Sequence, residues 1–271
     1  MEDIGSVDAE GHATYVIGNP GFHRASEATV GVPYPKAVRD YDALELVGRK
    51  LLNRNWALTA SYTWSRLYGN YSGLSQSDEN GRTDPNIGAT FDAPLAMFEE
   101  NGEALYGRLA TDRPHQVKAQ FVYTAPFGVN VGLFQSLASG LPVSRFAVLA
   151  TDIATDIAPV FYAGRGSDGR TPALSQTDVS VQYVRGLGGN KRLTVGLNVL
   201  NLFNQAQGVS RFSLENGQGV QVKVDEGDYY AGRADVSAAF DPQQLERDPR
   251  FLQYEFFQEP ISARVMVRFG F

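Results

Sequence analysis

Cysteine is absent from the 271-residue chain, which excludes disulfides, thiolate catalysis and cysteine-held metals. No run of eighteen apolar residues occurs, so no membrane-crossing helix is encoded. Positive charge is in short supply. Lys and Arg number 24 against 30 Asp and Glu, and the formal charge of −6 argues against a nucleic-acid partner. His12, His23 and His115 never stand at a metal-ligand spacing, which argues against zinc, and no serine lies in Gly-x-Ser-x-Gly. No cofactor is expected. The start, Met1-Glu2-Asp3-Ile4-Gly5, lacks the basic and apolar regions of a signal peptide. A mean hydropathy of −0.25 would suit a soluble protein, yet alternating strands average to the same value.

What the chain has is alternation. From Ile261 to Phe271, the residues Ile261, Ala263, Val265, Val267, Phe269 and Phe271 fall on one face of an extended strand. Ser262, Arg264, Met266, Arg268 and Gly270 fall on the other. Trp56 to Arg66 is cleaner still: Trp56, Leu58, Ala60, Tyr62 and Trp64 oppose Ala57, Thr59, Ser61, Thr63 and Ser65. Aromatics at both ends of an apolar face are what lipid-facing strands show. Five further strands are expected: Arg39 to Leu52, His115 to Ala125, one beginning at Val129, Thr177 to Arg185, and Leu193 to Val199. Gln135 breaks the apolar face of the strand that starts at Val129.

The connections alternate in length. Asn53–Asn55, Pro126–Gly128 and Gly186–Lys191 are short, whereas 67–113, 147–173 and 206–255 are long and rich in Gly, Asp, Asn and Ser. Bacterial outer-membrane barrels place short turns inside and long loops outside. The expected fold is therefore all-β: an antiparallel transmembrane barrel segment of seven strands with long outer loops. Residues 1–38 would be an outer loop or a preceding barrel segment, and 39–271 the carboxyl-terminal barrel part. Within the loops, Val220–Val224 and Ala234–Phe240 are expected to pair as a hairpin standing above the membrane, and Phe91–Phe98 to form a short helix-like plug near the rim.

Several blocks then resemble one family. Tyr41-Asp42-Ala43-Leu44-Glu45-Leu46 and Ala60-Ser61-Tyr62-Thr63-Trp64-Ser65 open the series. Asn70-Tyr71-Ser72-Gly73-Leu74, Thr111-Asp112-Arg113-Pro114-His115, Gly169-Arg170-Thr171-Pro172 and Asn198-Val199-Leu200-Asn201-Leu202-Phe203-Asn204 follow in order. Together with the terminal Phe they resemble TonB-dependent outer-membrane receptors of the Oar-like subfamily. The resemblance implies uptake of a small, unidentified ligand through the cell outer membrane of a Gram-negative-type bacterium. Its partners would be outer-membrane lipid, the barrel-assembly machinery, and TonB acting through a plug domain not among these residues. Such barrels close roughly 22 strands, so seven would be part of a wall. Val265, Val267, Phe269 and Phe271 would be the assembly signal. A signal sequence would have been removed or would lie upstream.

Candidate site residues fall in three groups. Glu45, Arg49, Lys118, Arg264 and Arg268 are expected to face the barrel lumen, as part of a polar wall. Asp78, Asn80 and Asp84 offer oxygen ligands to calcium but lack the bidentate Glu of a calcium loop, which favours a solvated outer loop. Asp112 and His115 are the one pair that a small barrel enzyme could use, although an interfacial role suits His115 better. Tyr229-Tyr230 and Phe256-Phe257 suit ligand contact in an outer loop, and equally an aromatic girdle or a loop core. Two other readings fit the strands locally: a soluble β-sandwich for adhesion or carbohydrate binding, and a closed small-barrel enzyme with Ala13–Gly18 as an eighth strand. The expectation is a receptor, not an enzyme.

Overall fold

The computed structural model describes residues 2–7, 13–18, 35–71, 94–150, 158–217 and 220–271. β1 (Glu2–Val7) and β2 (Ala13–Gly18) pair with each other and, among the described residues, with no other strand. Among the described residues Ala13–Gly18 joins no strand of the main sheet, so it is not the eighth strand that a closed small barrel would need.

Seven long strands form a meander: β3 (Arg39–Asn53), β4 (Trp56–Gly69), β6 (His115–Thr124), β7 (Val129–Ala138), β10 (Leu174–Gly186), β11 (Arg192–Leu200) and β15 (Ser262–Gly270). Each pairs antiparallel with the next, and β5 (Gly107–Arg108) adds a short ribbon to the end of β4. These are the strands the alternation specifies, each ending within a few residues of its expected limit. The sheet stays open, with β3 and β15 at its edges.

Residues paired across an antiparallel sheet point to the same face, so the register sorts every side chain. Leu44 lies opposite Trp64, Leu133 opposite Val179, Val181 opposite Leu197 and Leu197 opposite Val265. Leu44, Leu46, Trp64, Leu133, Val181, Leu197, Val265 and Phe269 share this dry face and are 37% to 75% exposed. Among the described residues no second sheet covers it, as a soluble sandwich would require. An uncovered apolar surface of this breadth needs an apolar environment. Gln135 sits on the dry face near the loop end, and its amide is satisfied there: Thr177 Oγ1 donates to it, and it donates to Ser175 Oγ at 3.2 Å. That cross-strand polar cluster explains the break in the pattern.

The register also climbs. Trp56, Tyr123, Val131, Val181, Leu197 and Val265 are joined in one rung of neighbours. At β4 this rung touches the short turn. The β10–β11 turn closes only at Gly186 opposite Arg192, five residues past Val181. Strands offset in this way are tilted. Turn geometry is tight: Gly128 has φ +90°, and a Cβ there would meet Val184 O at 2.4 Å.

Beyond the other end of the sheet, the long connections fold onto one another. They carry β8 (Ala147–Ala150), β9 (Ala158–Val160), β12 (Gly208–Arg211), β13 (Val222–Lys223), β14 (Tyr254–Phe257) and the short helix α1 (Glu226–Tyr230). β13 runs parallel to β8, so the expected hairpin between Val220–Val224 and Ala234–Phe240 is corrected. Val222 pairs with Leu149 of a different connection, and 236–240 is a turn packed beneath it. Where Phe91–Phe98 is expected as a helix-like plug, Pro94–Met97 is a 3-10 helix, while 91–93 lie outside the described residues.

Leu95, Met97, Phe98, Leu149, Val160, Tyr162, Val222, Val236 and Phe240 form a shared loop core with Tyr229 and Tyr230. Tyr229 is 0% exposed, its hydroxyl donating to Phe98 O at 2.9 Å. Burial and the neighbouring Glu100 hold its pKa well above the usual tyrosine value, so it remains a donor. Tyr229→Phe is expected to leave Phe98 O unsatisfied and cost the loop core about 1–3 kcal/mol. The measurement is the rate at which added protease cuts the outer loops on intact cells. An unchanged rate would show that this bond contributes nothing.

Candidate functional site

Opposite the dry face, the same register builds a polar one. Glu45 faces Thr63, Arg49 faces Thr59 and Lys118 faces Ser61. Arg264 faces Asn198 and Arg268 faces Thr194. All five expected lumen residues therefore share one face. They are spread from β3 to β15 rather than gathered, which suits a hydrated wall. Asp78, Asn80 and Asp84 lie outside the described residues.

The sequence blocks meet at the loop end of the sheet. Asp112 is 2% exposed, and its carboxylate is held by Arg170 Nη2 and by the Leu67 N–H, the latter at 2.8 Å. Arg170 Nη1 also donates to Asp112 O at 2.9 Å and Gly140 O at 3.0 Å. Thr171 Oγ1 accepts from Leu141 N at 2.9 Å, while Thr171 N returns a bond to Leu141 O. A Cβ on Gly140 would stand 1.6 Å from Thr171 O, so these two segments meet only because residue 140 has no side chain. This latch ties three segments of two connections together over the strand ends. Buried carboxylates persist when paired and hydrogen-bonded in this way.

Two asparagines act similarly. Asn70 Oδ1 accepts from Val38 N at 2.7 Å, and its amide donates to Lys36 O. Asn201 donates to Gln205 O and Glu259 O, both at 2.8 Å. His115 turns to the dry face, where Nδ1 and the Tyr62 hydroxyl are hydrogen-bonded at 2.8 Å with the rings stacked. Asp112 and His115 thus spend their polar atoms on different partners, and no acid–base pair forms between them. Tyr229 and Tyr230 belong to the loop core, whereas Phe256 and Phe257 are more than half exposed on β14.

Beside the latch, on the polar face, lies a hollow of about 400 Å³. Arg39, Tyr41, Arg113 and Gln116 line it, with Ser65 and Leu67 beneath. Arg113 Nη1 donates to Ser139 O, and burial together with the neighbouring Arg170 cation pushes its pKa down. The sequence held a signal for this place. Arg39 and Tyr41 have the parity of Glu45, and Arg113 stands in the block that supplies Asp112. What the sequence could not supply was their convergence.

Residues 17–157, about half of the chain, match the family model described as the outer membrane beta barrel domain. The chain belongs to that family. This outer-membrane barrel chain is also 34% identical over 218 residues to the TonB-dependent transporter Oar of Myxococcus xanthus, covering 78% of its own length. The Oar-like resemblance read from the sequence is thereby borne out. The aligned region covers 18% of that transporter, so the barrel chain spans less than a fifth of its relative. No solved structure matches it. Membership places the protein in the outer membrane of a Gram-negative-type bacterium.

Proposed function

We propose that the chain forms wall and outer loops of a receptor that captures a scarce solute at the cell surface and passes it inward. The observation that carries this reading is a two-faced sheet, dry outside and polar inside, whose loop end bears a separately cored body. Recognition on loops held by a rigid wall is a common arrangement. In this reading residues 39–271 are the wall and its loops, and 1–38 an outer loop or preceding barrel segment. Glu45, Arg49, Lys118, Arg264 and Arg268 then face the lumen. TonB supplies the drive through a plug domain, for which none of these residues is proposed, and no covalent chemistry is involved.

The test compares cells carrying the gene with cells from which it is deleted, grown in the same conditioned medium. A solute depleted only by the first should be spared when a protonophore collapses the inner-membrane gradient. The reading fails if no solute is depleted in a gene-dependent way, or if depletion survives the protonophore.

Assembly belongs to the same proposal. Val265, Val267 and Phe269 lie opposite Leu197, Val195 and Leu193 on the dry face of β15, and Phe271 follows at 93% exposure. An edge strand with one free side is a template for pairing, here by the barrel-assembly machinery. Deleting Phe271 is expected to leave most of the receptor in the unfolded fraction on heat-modifiability gels. Normal folded yield would remove the assembly role.

A further inference from the structure

We infer that the hollow beside the rim latch binds the carboxylate or phosphate group of a small solute. The inference rests on the reading that the polar face lines a lumen. Arg39 and Arg113 line this place together with the carboxylate of Asp112, which Arg170 holds from beside it. That carboxylate is turned away. Its oxygens are taken by Arg170 and the Leu67 N–H, so it does not repel an anion in the hollow. Arg113 is the decisive group. It is half-buried, adjoins a second cation, and among the described residues meets only a neutral carbonyl, Ser139 O. A desolvated cation without a counter-charge is costly, and an arriving anion removes that cost. The planar guanidinium fork matches carboxylate and phosphate, and charge-assisted bonds of this type are the strong ones.

Position and size agree with a solute. The hollow opens on the face opposite lipid, at the end of β3 and β4 that bears the long connections, where an entering ligand first meets the wall. Its volume falls within the roughly 300–1,000 Å³ usual for small-molecule pockets. Gln116 adds an amide, and the Tyr41 ring, 61% exposed, offers a flat apolar surface to the rest of the molecule. Lipid phosphates lie on the other side of the sheet.

The experiment uses the whole receptor purified from outer membranes in detergent. Succinate and inorganic phosphate are titrated calorimetrically at low ionic strength, with glucose as the neutral control. The expected result is saturable binding of at least one anion and none of glucose. Preference between the two anions tells carboxylate from phosphate as the natural group. Arg39→Gln and Arg113→Gln should each weaken binding about tenfold or more, while Arg233→Gln, in an exposed pair with Asp228, leaves it unchanged. Arg39 is exposed at the strand start, so its variant keeps the test valid if Arg113→Gln does not fold. Absence of saturable anion binding overturns the inference, as happens if a carboxylate of the receptor's own chain already fills the hollow. So does binding that the folded Arg39 variant leaves intact. Either failure leaves the protonophore-sensitive uptake test untouched, so the two readings fall separately.

Discussion

Arg170→Ala is expected to destabilise the assembled receptor by about 3–5 kcal/mol, because it strands a carboxylate that is 2% exposed. Asp112 is shut in where two connections meet, and among the described residues Arg170 is the cation its carboxylate bonds. Removing that group leaves the charge unpaired and also frees Asp112 O and Gly140 O, each of which accepts from Nη1. Asp112→Ala should cost a similar amount through the opposite loss: Arg170 keeps its charge, and the Leu67 N–H loses its acceptor. The double variant should cost clearly less than the sum, since neither survivor is left charged and alone. Urea titration of receptor in lipid vesicles, read by electrophoretic mobility without boiling, gives all three midpoints. Losses below about 1 kcal/mol, in the range of exposed ion pairs, would show the latch to be dispensable.

The second large effect separates the faces. Val181→Arg should cost about 2–4 kcal/mol, the penalty for a cation facing lipid near mid-bilayer, whereas Gln182→Arg one residue later should cost close to nothing. Val181 lies on the dry face opposite Val131 and Leu197. Gln182 lies on the polar face opposite Asn130 and Gly196, with Arg264 nearby on the same side. The same urea assay measures both. Equal losses would mean that the sheet has no lipid side, and the barrel reading of this wall would fall.

The wall was legible in the sequence because lipid and water each impose one parity on every strand. Where a third environment enters, legibility ends. β4 runs three residues past Arg66 because Leu67, apolar on the polar face, is covered by the latch. β10 begins three residues before Thr177 because Ser175 and Thr177 are satisfied by Gln135 rather than by lipid. The loop core was hidden for a different reason. Val222 and Val224 alternate like a strand, but the partner of Val222 lies some seventy residues away in another connection, and no local period carries that information. The hollow is of the same kind. Arg39 and Arg113 were visible one by one, and only the pairing of β3, β4 and β6 brings them together.

The climbing register has a consequence for how the sheet finds its depth. The rung that begins at Trp56 and Tyr123 continues through Val131 and Val181 to Leu197 and Val265, so its chemistry changes from aromatic to aliphatic along its length. Tilt carries one end of the rung to the headgroups and the other into the hydrocarbon. A two-residue slip of any strand would keep every side chain on its proper face. It would nevertheless drag an indole or phenol toward the oily centre and push a valine out to the headgroups. Parity thus settles which way a side chain points, while the aromatic-to-aliphatic gradient works as a vernier that settles how far along each strand must slide before it locks.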